Sequence, residues 1–227
     1  APSGTAHMLF RAVKQVRPNA VEHCGRSGEC KRTKEEIGIS SLRMGNVVGV
    51  HEIHICTSSQ TLTLRAEKAV FLSPAAAAAT VPGVRFAYYE GTFSKVADIT
   101  RGKLVSTGVM AAPSIAEAPQ EDHFGYVFEG LIRIPERGVW EFVTRSDDGS
   151  VLLIDGRKVV DNDSSHAAVT ATGRVALEAG LHACELLYFE DYEGQDLSWG
   201  WRAPGAALFE QIPAERLYVE FPDCPAD

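Results

Sequence analysis

Residues 138–163 read GVWEFVTRSDDGSVLLIDGRKVVDND, and the fold follows from how this stretch is parsed. Val139, Glu141 and Val143 alternate with Trp140 and Phe142, the period of a pleated strand with two unlike faces. Ser146-Asp147-Asp148-Gly149-Ser150 interrupts the run with side chains that bond their own backbone and favour turns. Val151 to Ile154 is apolar and the length of a buried strand. Asp155-Gly156 then separates it from Val159-Val160. An Asp-Gly pair between two β-favouring runs is a strong hairpin signal, because both turn positions take positive φ. The stretch predicts two tight reversals in an antiparallel sheet, with adjacent carboxylates in the loop joining two of its strands.

The same pattern extends on both sides. Strands are predicted at 85–89, 105–110, 126–134, 138–144, 151–154, 158–161, 173–177, 180–189, 196–201 and 216–219. Turn residues separate them, as in Pro135-Glu136-Arg137-Gly138 and Tyr192-Glu193-Gly194. Short strands at this spacing predict a β-sandwich or barrel. Upstream, residues 73–83 hold Ser-Pro, five alanines and Pro-Gly, and read as a linker. The N-terminal part is different. Met8, Leu9, Ala12, Val13 and Val16 follow helical spacing, with Ser3 or Thr5 as cap and Pro18-Asn19 as stop. Residues 22–36 are polar loop, and strands are predicted at 37–41, 46–57 and 60–66. The fold class is mainly β: an antiparallel β-sandwich at 84–221, preceded by a small α+β fragment at 1–72.

Composition is that of a soluble globular protein, and no apolar run approaches membrane-spanning length. The opening Ala1-Pro2-Ser3-Gly4-Thr5 reads as the interior of a longer chain. Residues 1–72 carry a formal charge of +4 and residues 73–227 one of −12, which suggests two units of different origin. The acidic second unit argues against nucleic acid as a partner. Cys24, Cys30, Cys56, Cys184 and Cys224 form neither a CxxC nor a dense framework, and read as free or buried thiols. His51, His54 and Cys56 are close in sequence, yet on a strand only His54 and Cys56 share a face.

Two family resemblances follow from these motifs. APSGTA, GRSGECKRTKEEIGISSLRMGNVVGVHEIHI and TLTLRAEKAVF resemble the C-terminal domain of bacterial dihydrodipicolinate reductase. That resemblance implies that Ser3, Gly4 and Thr5 bind a substrate carboxylate, and that the sheet supports a homo-oligomer. The family's catalytic His-His and Lys precede this motif and do not occur in the chain, nor does the nucleotide-binding half. NADPH chemistry in lysine biosynthesis is thus the alternative reading, with no activity expected of this chain alone. From Val84 onward, RFAYYEG, FEGLIRIP, GVWEF, SDDGS, IDG, VVDN, AGLH, LYFE and LSW resemble the protective-antigen-type β-sandwich domain of yeast flocculins and bacterial glycosidases. This implies a non-catalytic carbohydrate-binding or adhesion module, an accessory to a glycosidase or surface protein. The sandwich suits the cell exterior and the reductase fragment the cytoplasm.

Candidate site residues follow. In sugar-binding members of the resembled family, paired Asp residues hold calcium, which points to Asp147 and Asp148, and hard oxygen ligands suit that ion. Asn162 and Asp163 are candidates for a second ligating loop. Trp140, Trp199 and Trp201 offer ring faces for sugar stacking if they are exposed. Glu185, Glu190 and Asp191 invite comparison with a glycosidase pair, and Ser164, Ser165 and His166 with a nucleophile and base. Both read as solvated polar positions, since neither shows a defined separation across a cleft. No catalytic residue is assigned.

Overall fold

The computed structural model describes residues 8–15, 23–24, 30–31, 51–56, 61–76 and 79–220. It divides into two units, residues 1–70 and 71–227. In the first, β1 (Met8–Gln15), β5 (Thr61–Lys68) and β4 (His51–Cys56) form an antiparallel sheet in that order, and β2 (His23–Cys24) pairs with β3 (Cys30–Lys31). Here the helix expected from Met8 onward is replaced by a strand. Short apolar runs do not separate the helical from the extended period, and all eight residues of β1 find a partner in β5. The strand expected at 37–41 lies outside the described residues.

The second unit contains β6 (Thr80–Pro82), β7 (Val84–Glu90), β8 (Lys103–Met110), β9 (Phe124–Ile134), β10 (Gly138–Asp147), β11 (Ser150–Ile154), β12 (Arg157–Asn162), β13 (Val169–Leu177), β14 (Gly180–Glu190), β15 (Asp196–Arg202), β16 (Glu210–Gln211) and β17 (Leu217–Glu220). Two sheets result. One has the order β13-β10-β15-β16, the other β12-β11-β14-β9-β17-β6, with β7 also on β9 and β8 on β7. Inner-face side chains of both sheets make the core. Trp140, Phe142 and Trp201 come from the smaller sheet, and Tyr88, Phe124, Phe128, Leu186 and Tyr188 from the larger. β10 alternates strictly between buried and more exposed positions, the pattern of a sheet with one wet face, whereas β14 alternates from His182 to Tyr188 and then also buries Phe189, in a second apolar cluster with Phe93, Val96, Ile99, Val127 and Val151.

Two expectations are corrected. Only the second reversal of the 138–163 stretch is a hairpin. Asp155 (φ 50°) and Gly156 (φ 71°) turn β11 into β12 within one sheet. The first reversal instead carries the chain from β10 in the smaller sheet to β11 in the larger. A buried hydroxyl chain marks this crossing: Ser150 Oγ lies 2.8 Å from Ser146 Oγ and donates to Thr144 Oγ1 at 3.0 Å. Asn162 Nδ2 donates to Ser146 Oγ at 3.0 Å. The second correction concerns residues 73–83, expected as linker. Leu72 exchanges backbone hydrogen bonds with Ala176 and Glu178, Ala75 N donates to Leu181 O at 2.7 Å, and Thr80–Pro82 is an edge strand on β17. Pro82 is tolerated there because an edge strand leaves one row of amides unpaired.

Candidate functional site

The switch between sheets puts Asp147 at the end of β10 and Asp148 just before β11, joined by a cis peptide. Asp148 is buried and held by backbone amides. Its Oδ1 accepts from His166 N at 2.6 Å, and its Oδ2 from Asp191 N at 2.8 Å and Tyr192 N at 3.4 Å. Asp147 Oδ2 accepts from Ala168 N at 3.0 Å. The two carboxylates therefore pin two loops, one after β12 and one after β14.

A third carboxylate meets them. Alternation along β14 turns His182, Cys184, Leu186, Tyr188 and Glu190 to the core, so Glu190 is a fully buried acid. One carboxylate oxygen of each of Asp147, Asp148 and Glu190 lies within 4.8 Å of the others. Tyr188 Oη is 2.5 Å from the Asp147 carbonyl oxygen and 3.1 Å from Glu190 Oε2, and its single proton serves one of them at a time. Glu190 Oε1 has no hydrogen-bond partner. Burial, then the Asp148 charge, push the Glu190 carboxyl up to about 8 despite the Tyr188 hydroxyl. The Tyr188 phenol is pushed far up, first by burial and then by Glu190. A buried oxygen left unpaired costs stability unless something outside the chain completes it. An all-oxygen donor set of this kind fits a hard cation such as calcium.

Gly194 borders the cluster. Its φ of 95° is left-handed, and a β-carbon there would stand 3.4 Å from Asp147 Oδ2. Beside it lies a cleft lined by Glu121, Asp122, Tyr192, Glu193, Gly194 and Gln195. Glu193 N donates to Asp122 Oδ1 at 3.2 Å and ties the two walls together.

The other expected residues lie elsewhere. Asn162 spends its amide on Ser146 and Val169, and Asp163 accepts from Val96 N at 2.8 Å, so neither joins the acidic cluster. Trp140, Trp199 and Trp201 are core, with Trp140 and Trp201 ring centroids 4.7 Å apart, and offer no face to a ligand. Glu185 and Glu190 point to opposite faces of β14. His166 Nδ1 and Nε2 face the carbonyls of Ala167 and Asn162, and Ser165 Oγ bonds Asp191, so no nucleophile–base pair forms among them. Ser3, Gly4 and Thr5 lie outside the described residues. Glu190 as partner of the Asp pair was not anticipated, although its parity with Leu186 and Tyr188 marks it as inward-facing.

The model of the PA14 domain matches residues 80–214. The chain belongs to the PA14 domain family. Residues 1–87 match the C-terminus of dihydrodipicolinate reductase. A 4-hydroxy-tetrahydrodipicolinate reductase of Clostridium tetani is 48% identical over 54 residues, 23% of this chain and 21% of the relative. The chain thus spans about a fifth of that relative's length. Among solved PA14-like structures, the epithelial adhesin 9 A domain of Candida glabrata, in complex with Galβ1-3GlcNAc, superimposes with a TM-score of 0.53. It shares 11% identity and covers 66% of this chain and 97% of that one. The PA14 sugar-binding domain of an RTX adhesin gives 0.50 at 18% identity, covering 61% and 99%. At these identities the likeness is one of fold. Among the described residues no helix is long and apolar enough to cross a membrane.

Proposed function

We propose that the PA14 sandwich of this protein is a calcium-dependent carbohydrate-binding module of an extracellular or cell-surface protein. The observation that carries this reading is the buried Glu190, whose Oε1 has no partner and whose carboxylate meets the Asp147–Asp148 pair within 4.8 Å. Asp147, Asp148 and Glu190 would hold the ion, and a bound calcium supplies coordination positions that sugar hydroxyls can fill. The backbone amides of His166 and Asp191 keep Asp148 oriented, so the site needs little reordering on binding. Gly194, in the lining of the neighbouring cleft, lies against Asp147. That two structures of this fold are described as sugar-binding or sugar-bound agrees with the reading. An accessory role beside a glycosidase is the finer form of it.

The test is thermal unfolding of the whole chain with and without calcium. Binding to the folded state alone, at a calcium concentration about 100 times Kd, adds roughly 2.7 kcal/mol, or about 5–10 °C of melting temperature. Asp148→Asn should remove that rise while the domain still unfolds cooperatively. An unchanged wild-type melt at millimolar calcium overturns the proposal.

A further inference from the structure

Resting on the carbohydrate reading, we infer that the cleft beside the acidic cluster selects neutral or amine-bearing sugars and rejects sugars carrying a carboxylate or sulfate. The cleft's two walls come from the loop before β9 and the loop after β14. Glu121, Asp122 and Glu193 line it, and no Lys or Arg is among its lining residues. His123, adjacent on the first wall, stands with Nδ1 3.8 Å from Asp191 Oδ1, so a further acid lies beside it. Glu193 N donates to Asp122 Oδ1 and fixes that carboxylate across the cleft.

Gly194, which lines the cleft, lies against the cluster, since a β-carbon there would stand 3.4 Å from Asp147 Oδ2. A sugar held in the cleft beside Asp147 therefore lies among the carboxylates of the cleft walls. The two Asp carboxylates of the cluster at most balance one divalent ion, so the negative charge of the cleft walls stays unneutralised. An anionic substituent on the sugar meets like charge throughout, within a Debye length of about 8 Å at physiological salt. Like-charge juxtaposition is a strong means of excluding a wrong partner. Tyr192 adds an uncharged element. It is 63% exposed, whereas the other exposed aromatic among the described residues, Phe209, lies under the Arg202 guanidinium at 4.7 Å. Its ring offers the apolar C–H face of a pyranose a surface that carries no charge.

The experiment uses the calcium-loaded chain and a printed panel of matched glycans. Lactose and Galβ1-3GlcNAc are compared with their 3′-sialyl and 3′-sulfo derivatives, and N-acetylglucosaminides with their de-N-acetylated, amine-bearing counterparts. The expected result is at least tenfold weaker binding of each acidic member than of its neutral parent. That ratio should shrink several-fold at 0.5 M sodium chloride, on the order of a 4 Å Debye length, and in Glu121→Gln/Glu193→Gln. Steric exclusion would respond to neither salt nor these substitutions. Equal binding of acidic and neutral members, or a ratio indifferent to salt, overturns the inference while leaving calcium binding and sugar binding standing. Calcium binding without any neutral glycan bound overturns the carbohydrate reading, and this inference with it.

Discussion

Strands β11 and β14 are bracketed by two acid clusters, each built on one buried side chain or more, His182 at one end and Asp148 and Glu190 at the other. At one end, Asp155 Oδ2 lies 2.7 Å from His182 Nδ1, Asp155 Oδ1 accepts from Ala183 N at 2.8 Å, and His182 Nε2 faces Glu178 O at 3.0 Å. At the other end, Asp147 and Asp148 meet Glu190, and one oxygen of Glu190 has no partner. The first cluster mixes an acid with an imidazole and matches its polar atoms. The second collects three acids and leaves a deficit of protons. A matched buried network rigidifies the fold, whereas an unmatched one is a cost that a ligand can remove. The contrast separates a structural cluster from a binding one on a single pair of strands.

The largest effect is expected at the matched end. His182→Ala leaves a cavity and unpairs Asp155, and should cost on the order of 3 kcal/mol in urea denaturation. The calcium-dependent rise in melting temperature should survive, because the other cluster is untouched. A loss under about 1 kcal/mol would erase the contrast between the two ends.

A smaller effect of opposite sign is expected at the unmatched end. Glu190→Gln keeps the shape and replaces, beside Asp147 and Asp148, a carboxyl that burial pushes up to about 8 and so leaves mostly protonated at neutral pH. Stability in chelator should hold or rise by about 1 kcal/mol, while the stabilisation by calcium shrinks. Paired melts with chelator and with calcium read both quantities. A drop in chelator would mean that Glu190 is already satisfied by the chain itself.

The smallest effect sharpens the comparison with the outer face of the same strand. Glu185 is half-buried opposite Glu129, and burial followed by that neighbour's charge raises its carboxyl above the ordinary 4.5. A raised folded-state value means the native state binds the proton more tightly. Its stabilisation is full below 4.5 and is lost as pH climbs through the raised value. Glu185→Gln should flatten that decline, by a few tenths of a kcal/mol since the site is half in water. Stability measured across mildly acidic to neutral pH checks it, and an unchanged slope would remove Glu185 from the balance.

All ten strands expected between 84 and 220 are present, with ends shifted by a few residues at most. They were legible because a strand's period of two and its turn chemistry are local properties of neighbouring residues. Asp155-Gly156 shows this best, since two positive φ angles follow from two adjacent residues. The Asp147–Asp148 pair was visible for the same reason, as adjacent acids in a turn. Where local cues were short or missing, the reading failed. Met8 to Gln15 took the strand that β5 offers, and Thr80 to Pro82 looked like linker until β17 supplied its partner.

The sequence by itself determined where ten strands of the sandwich run, where they turn, and that two acids share one loop. Only the tertiary structure decided that β10 and β11 belong to different sheets, that Glu190 arrives from a distant strand to face the Asp pair, and that the tryptophans lie inside. Sheet membership and the meeting of distant side chains are set by which apolar faces bury each other across the whole chain. That competition leaves no mark within any short stretch of sequence.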